Sequence, residues 1–295
     1  MNTSQTLYAV IVTYHPDVPH LLNLIHQLSE QQMEVVVVDN TGIQTFDVPA
    51  SVEIIRLPQN EGIASAQNHG IRYALNHNAD FICFFDQDST IDPHYRKHII
   101  EDWYTASQKT NKPLATIGPL LRHRHHHFYY KAITYSKWGV RRRVEVSHIQ
   151  QPEEVGFIIS SGSIVSAEAM RQVGLMLDDL FIDYVDTEWC LRARHQGYAI
   201  FMSHQTVMQH TIGDKVIHLF NFPIAIHKAS RRYFTVRNAF WMFSLPHVPK
   251  LLALRVVVIT QIQQLILVAT QKDKKSYLKT WWQGIKDGVA GRPSR

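Results

Sequence analysis

Phe81-Ile82-Cys83-Phe84-Phe85-Asp86-Gln87-Asp88 is the stretch that decides the fold. Five apolar residues run directly into two carboxylates one residue apart, and there the hydrophobicity stops. A continuous apolar run this short reads as a strand buried on both faces, as in a parallel sheet. Ligands of open α/β sheets bind just beyond the carboxyl ends of such strands, where Asp86 and Asp88 fall. With strand geometry carried through the pair, both carboxylates point to one side, about 6–7 Å apart at their Cα atoms. Two hard oxygen donors so spaced suit one divalent cation and leave room for a phosphate. A solvated acidic turn after a core strand accounts for the same residues.

Three earlier apolar runs also end in polar residues. Leu7 to Tyr14 reads as a strand stopped by His15-Pro16, because Pro16 biases His15 away from helix. Pro19 can open the next helix, in which Leu21, Leu22, Leu24, Ile25 and Leu28 recur at helical spacing. Val35 to Val38 ends in Asp39-Asn40-Thr41-Gly42, and Val52 to Leu57 leads to Pro58-Gln59-Asn60-Glu61-Gly62. The helix after Gly62 carries Ala64, Ala66, Ile71, Ala74 and Leu75 on one face. This alternation calls for a right-handed, mostly parallel sheet in an α/β fold.

Beyond Asp88 the spacing predicts a helix over 93–109 and a strand over 114–119. The run Arg122 to His127 lacks the spacing of a preformed metal site and reads as a loop. Residues 128–146 read as a hairpin around Gly139, with Arg141-Arg142-Arg143 as a solvated face or a phosphate contact. A strand is expected over Val155–Ile159, closed by Ser160 to Ser163, then a helix over Ala167–Val173 ended by Gly174. Leu180 to Arg192 concentrates acidic residues, and Asp186 reads as a helix cap before Thr187. A strand over Ala199–Met202 follows, and His210 comes after Val207-Met208. Residues 220–243 are expected to be helical, with Arg231, Arg232, Arg237 and Asn238 among aromatics.

The chain has 295 residues, 45% hydrophobic and 19% charged, enough for one large α/β core with an appendage. A net charge of +5 suits anionic small molecules or an anionic membrane surface, and no nucleic-acid-binding motif is present. Two cysteines permit at most one disulfide, and the N-terminus has no secretion-signal pattern, so a cytoplasmic setting is expected. Leu251 to Thr270 is apolar-rich but interrupted by Arg255, Gln261, Gln263 and Gln264. Arg255 alone costs about 2.5–3.5 kcal/mol at a bilayer centre, which argues against a span. Lys272, Lys274, Lys275 and Lys279 with Trp281 and Trp282 give the mixture of an interface-lying helix pair. A helical hairpin packed on the domain or on a second copy uses the same residues.

Asp39, Asn60, Gly62, Asp86 and Asp88 should converge, since all lie at or just after strand ends of one sheet. Asp39 can accept the imide N–H of uracil or thymine, and Gly62 lets backbone N–H groups approach a nucleotide. Asp86 and Asp88 with a divalent ion would neutralise a diphosphate and stabilise a departing nucleotide diphosphate. No Gly-rich phosphate loop of the Walker or dinucleotide type is present, which disfavours kinases and dehydrogenases.

The set Val10 to Tyr14, Val38-Asp39-Asn40, Asn60-Glu61-Gly62 through Asn68-His69-Gly70, and Asp86-Gln87-Asp88 resembles the family-two glycosyltransferases. The Phe181–Arg192 cluster and Arg231 to Phe234 through Arg237-Asn238 are similar to the bacterial rhamnosyltransferase branch. The resemblance covers roughly residues 7 to 240. It implies a GT-A fold, Rossmann-like, with a mostly parallel sheet flanked by helices and a C-terminal helical extension. Residues 1–215 would form the nucleotide-sugar-binding and catalytic domain, and 216–295 a helical, membrane-associating region.

The resemblance implies that Thr13, Asp39, Asn60, Gly62 and Asn68 hold the nucleotide, with Asp39 at the base. Asp86 would sit at the ribose and diphosphate, and Asp88 would be the main protein ligand of Mg²⁺ or Mn²⁺. His210 matches a histidine that reaches the metal or diphosphate, and Arg231 and Arg237 are diphosphate candidates. In this family a carboxylate in a Glu-Asp motif deprotonates the acceptor. Here the motif reads Val185-Asp186, so Asp186 is the base and Asp183 and Glu188 remain rivals. The implied reaction is inverting transfer from dTDP-L-rhamnose, or another nucleotide sugar, to a lipid-linked surface polysaccharide such as O-antigen at the inner membrane's cytoplasmic face. A nucleotidyltransferase would need a basic phosphate loop near the first strand, and Thr13 to Asp17 supplies none. A binding protein with a decayed site is the non-enzymatic alternative.

Overall fold

The first strand, β1 (Leu7–Thr13), stops where His15 takes a positive φ of 49° ahead of Pro16. Asp17 then caps α1 (Val18–Glu30) by accepting the His20 N–H at 3.0 Å. In this computed structural model residues 5–42, 46–123, 128–210, 216–219 and 222–291 are described. The parallel half continues with β2 (Glu34–Asp39), β3 (Glu53–Arg56), α2 (Gly62–Asn76), β4 (Phe81–Asp86), α3 (Tyr95–Gln108) and β5 (Leu114–His123). A hairpin of β6 (Ala132–Tyr135) and β7 (Arg141–Val144) precedes β8 (Glu153–Glu154) and β9 (Ser163–Ser166). Then come α4 (Ala167–Val173), a 3₁₀ turn (Asp178–Leu180), α5 (Val185–His195) and β10 (Ala199–His210). A second hairpin, β11 (Val216–Leu219) with β12 (Phe222–Ala225), leads to α6 (Ala229–Ser244), α7 (Lys250–Thr270) and α8 (Lys274–Val289).

Eight strands form one sheet in the order β3-β2-β1-β4-β9-β5-β10-β8. The β1–β4 strands are mutually parallel where they pair, and β9 enters antiparallel between β4 and β5. Alternate residues of β4 feed two cores, as a strand buried on both faces requires. Ile82 and Phe84 join Ala64, Ala66 and Ile71 of α2 on one side. Cys83 and Phe85 join Leu21 and Leu24 of α1 and Ile99 of α3 on the other. Both cysteines are buried and free.

Several expected elements differ; Arg122 and His123, expected in a loop, pair with β10 as the last residues of β5. Val155–Ile159 is not a strand: only β8 before it and β9 after it pair in the sheet, and Phe157 makes a lone bridge to Ile133. The helix expected from residue 220 begins only at Ala229, because Pro223 cannot continue a helix and lies in β12. Residues 124–127, which include most of the histidine run, lie outside the described residues.

The glutamines of α7 turn toward the protein, while Arg255 is exposed. Thr260 and Gln264 are buried, the Arg232 guanidinium donates to Gln264 Oε1 at 2.9 Å, and Gln264 Nε2 donates to the Tyr277 carbonyl at 3.0 Å. Trp281 Nε1 donates to Gln261 Oε1 at 2.6 Å. The opposite face of α7 leaves Leu251, Leu254, Val258, Ile262 and Leu265 exposed. By length and composition α7 could cross a membrane, with mean hydropathy 2.0 and only 28% of its apolar window buried. Its contacts with α6 and α8 instead make it a helix packed on one side and bare on the other.

Candidate active site

Parallel strands carry their polar ends to one edge of the sheet. Asp39 is buried at the end of β2, and its Oδ1 accepts the Thr13 hydroxyl at 3.3 Å and the Thr41 N–H at 3.1 Å. Asn40 donates to Asn60 Oδ1 at 3.0 Å and to the Gly62 carbonyl at 3.3 Å, and accepts the Glu61 N–H at 2.8 Å. Asn60 Oδ1 also accepts the Gly62 N–H at 2.9 Å. The ends of β1 and β2 and the start of α2 are therefore one hydrogen-bonded frame. Gly62 sits at φ 85°, and a Cβ there would lie 2.6 Å from the Phe181 ring. Only glycine admits this approach of α2 to the Phe181 turn.

β4 ends at Asp86, so strand geometry does not extend through Asp88. Gln87-Asp88 form a turn in which the Ser89 N–H donates to the Asp86 carbonyl at 3.0 Å. Gln87 turns back onto β1: its Oε1 accepts the Tyr14 N–H at 2.7 Å and its Nε2 donates to the Tyr14 carbonyl at 3.3 Å. That clasp fixes the turn, while Asp86 and Asp88 are exposed. Among the described residues no three His, Cys, Asp or Glu side chains converge as a metal cage. An all-oxygen pair fits Mg²⁺ or Mn²⁺ that keeps phosphate oxygens as its remaining ligands.

Facing this edge is the second cluster. The Ser160–Ser163 loop runs beside the end of β4, with Gly162 N–H donating to the Phe84 carbonyl at 2.7 Å. From that loop the Ser160 N–H donates to Asp186 Oδ2 at 3.2 Å, and the Thr187 N–H donates to Oδ1 at 2.7 Å. Asp186 lies inside the first turn of α5 and is not its N-cap, which is Tyr184. Loss of hydration pushes the Asp186 carboxyl up from its ordinary value, the two backbone donors oppose this, and the charge of Asp86 adds to the rise.

The rivals of Asp186 are spoken for. Glu188 is fully buried and paired with Arg192 at 2.8 Å. Asp183 pairs with Arg231 at 2.8 Å and accepts the Thr235 hydroxyl at 2.7 Å. The turn before Asp186 is strained, with positive φ at Phe181, Asp183 and Tyr184. Asn238 of α6 holds it: Nδ2 donates to the carbonyls of Leu180, Ile182 and Asp183 at 2.9, 2.8 and 3.1 Å.

The sequence model described as glycosyl transferase family 2 matches residues 8–170. The chain is a family 2 glycosyltransferase. It is 41% identical over 292 residues, 98% of this chain and 97% of the other, to dTDP-rhamnosyl transferase RfbF of Shigella flexneri. The fold is that of solved GT-A enzymes. TarS 1–349 of S. aureus superposes with TM-score 0.58 at 11% identity, covering 98% of this chain and 81% of that one. GalNAc-T7 bound to UDP, GalNAc and Mn²⁺ superposes with TM-score 0.56 at 12% identity, covering 95% of this chain and 57% of that one.

In this glycosyltransferase the structure brings Thr13, Asp39, Asn60, Gly62, Asp86 and Asp88 to one edge, with Asp186 across from Asp86. Asn68 and Arg237 have other surroundings. Asn68 is buried and its carboxamide holds the Met176 N–H, the Met176 carbonyl and Asp178. Arg237 is buried beside the Tyr233, Phe234 and Trp241 rings and donates to the carbonyls of Asp179 and Leu180. Those contacts support the strained turn. Arg231 stays partly exposed in its ion pair with Asp183. The His210 side chain lies outside the described residues. Sequence reasoning missed Gln87 as a clasp, Ser160 as a donor to Asp186 and Asn238 as the anchor of its turn. The Arg237-Asn238 pair was visible, but its partners lie more than fifty residues away.

Replacing Asn238 by Ala removes three carbonyl anchors at once. The expected result is a destabilisation of about 1–3 kcal/mol and a drop in kcat of roughly tenfold or more, with donor affinity little changed. Thermal unfolding and steady-state kinetics on the same variant check this.

Proposed function

We propose that this glycosyltransferase moves L-rhamnose from dTDP-L-rhamnose onto a lipid-linked saccharide destined for a surface polysaccharide such as O-antigen. The near-full-length relationship to a protein described as a dTDP-rhamnosyl transferase carries the donor assignment. Asp39 supports it: with Oδ1 engaged by Thr13 and Thr41, Oδ2 would accept the ring N–H of thymine. Transfer is a single displacement with inversion. Asp186 accepts the acceptor hydroxyl proton at its carboxylate, the oxygen attacks the anomeric carbon, and the bond to the nucleotide diphosphate breaks. Asp86 and Asp88 would hold Mg²⁺ or Mn²⁺, which when bound offsets the charge of the diphosphate.

The bare face of α7 and the charge of the tail support a peripheral seat on the cytoplasmic face of the bacterial inner membrane. Residues 250–291 hold seven basic and two acidic residues, an excess equal to the whole chain's net charge of +5. Such a stripe flanked by lysines suits an anionic lipid surface.

Calorimetry of the full chain with Mn²⁺ and dTDP-, UDP- or GDP-sugars tests the donor. Tight binding of dTDP-L-rhamnose is expected, and selective binding of GDP-sugars would overturn the role of Asp39. NMR of the product reads the anomeric configuration, and retention would remove the single displacement.

A further inference from the structure

Between the β6–β7 hairpin and α7 lies a cleft of about 230 Å³. Ile133 and Phe157 form one wall, Leu252 and Ile259 of α7 the other, and Arg141 and Arg255 converge on it. The cleft is built into the fold by the hairpin turn. Gly139, at φ 88°, packs so closely on the start of α7 that a Cβ would fall 2.8 Å from the Leu252 nitrogen.

No carboxylate pairs with either guanidinium among the described residues. Burial, and then the charges of Arg143 and Arg255, press the pKa of Arg141 down. Arg141 is half-buried and Arg255 exposed, and their like charges repel until an anion joins them. Guanidinium forks are suited to phosphate.

The cleft also has two informative ends. Tyr184 lines it, two residues before Asp186, and Phe157 stands three residues before Ser160, whose N–H holds the Asp186 carboxylate. At the other end Arg255 adjoins the exposed Leu251, Leu254 and Val258 of α7. A ligand that spans these points would carry a sugar, then a phosphate, then hydrocarbon.

We propose that the Arg141–Arg255 cleft binds the phosphate-and-hydrocarbon segment of a lipid-phosphate-linked saccharide, and so seats the acceptor for Asp186. This rests on the lipid-linked acceptor of the proposed function and adds where that acceptor is held.

The test compares the full-length wild type with Arg141→Gln/Arg255→Gln and Arg141→Lys/Arg255→Lys double variants. The first readout is binding to phosphatidylcholine vesicles that contain a polyprenyl phosphate, to vesicles with phosphatidylglycerol at equal charge, and competition by inorganic diphosphate. The second is transfer kinetics on a polyprenyl-diphosphate-linked acceptor and on the same saccharide as a lipid-free glycoside. For the Gln variant the site predicts at least a tenfold rise in KM for the lipid-linked acceptor, about one charge-assisted hydrogen bond or more. The donor KM and transfer to the lipid-free glycoside should stay unchanged, the Lys variant should retain most of the affinity, and diphosphate should compete. Unchanged lipid-linked KM in the Gln variant, with its thermal unfolding intact, overturns the site. An equal loss on phosphatidylglycerol vesicles overturns acceptor recognition and makes the arginines a general bilayer contact. Self-association lost in the Gln variant would make the cleft a contact between copies and also overturns the proposal. Failure of the underlying reading looks different: the wild type itself would show no preference for the lipid-linked over the lipid-free acceptor.

Discussion

Asp186→Asn should lower kcat by roughly 10²–10⁴-fold while leaving nucleotide-sugar affinity within a few-fold of the wild type. The variant keeps the size of the side chain and an oxygen for the Thr187 N–H, but removes the group that can take a proton. Calorimetry with donor and single-turnover transfer on the same preparation separate the two effects. Transfer at the wild-type rate would remove Asp186 from the reaction. Its raised pKa makes a further prediction. Because burial, reinforced by Asp86, holds the proton more tightly than in the unfolded chain, the acid limb of kcat should lie above the ordinary aspartate range. Activity should rise with pH through that limb. The stability sign is opposite: Asp186 contributes stability that is full below its unfolded pKa and is lost as pH rises through its higher folded pKa. The ionised form that the proposed mechanism needs is thus the form that folding disfavours, a tension common at functional sites. In the wild type the unfolding midpoint should fall across this pH window by more than in Asp186→Asn.

Asp88→Asn should show the complementary pattern. Metal-dependent donor binding should weaken, and kcat/KM should fall by about 10³-fold or more, since a cation held there as proposed would supply several kcal/mol of charge stabilisation on the leaving diphosphate. Asp88 is exposed on a turn already held by Gln87, so thermal unfolding should shift little. The measurement is donor calorimetry with and without Mn²⁺: the wild type should gain affinity from the metal and Asp88→Asn should not. An undiminished metal effect in the variant would remove Asp88 as a ligand.

Physical legibility varied along the chain. The strands ending in Thr13, Asp39 and Asp86 could be read because each is a short apolar run that stops at a polar residue, and period and composition are local signals. The α4 helix and its Gly174 terminus were legible for the same reason: Ser166, the apolar face and glycine all lie within nine residues. Val155–Ile159 is apolar, with Val155 and Ile158 buried, but has no ladder partner, and an apolar run alone does not distinguish a strand from packed irregular chain. The helix expected from residue 220 starts only at Ala229, because Pro223 lies in β12 and cannot continue a helix.

What the sequence by itself determined is the parallel half of the sheet and the polar edge it carries, since those follow from local hydrophobic runs and their ends. It also supplied the resemblance that named the reaction class. Only the tertiary structure decided which carboxylate of the Asp183–Glu188 cluster is available. Glu188 is consumed by Arg192, Asp183 by Arg231 and Thr235, and Asp186 alone of the three meets Ser160 and feels the charge of Asp86. The three lie within six residues, so their chemistry and spacing are nearly alike. What separates them is contact with α6, the Ser160 loop and the end of β4, and contacts between distant segments are set only when the chain closes on itself.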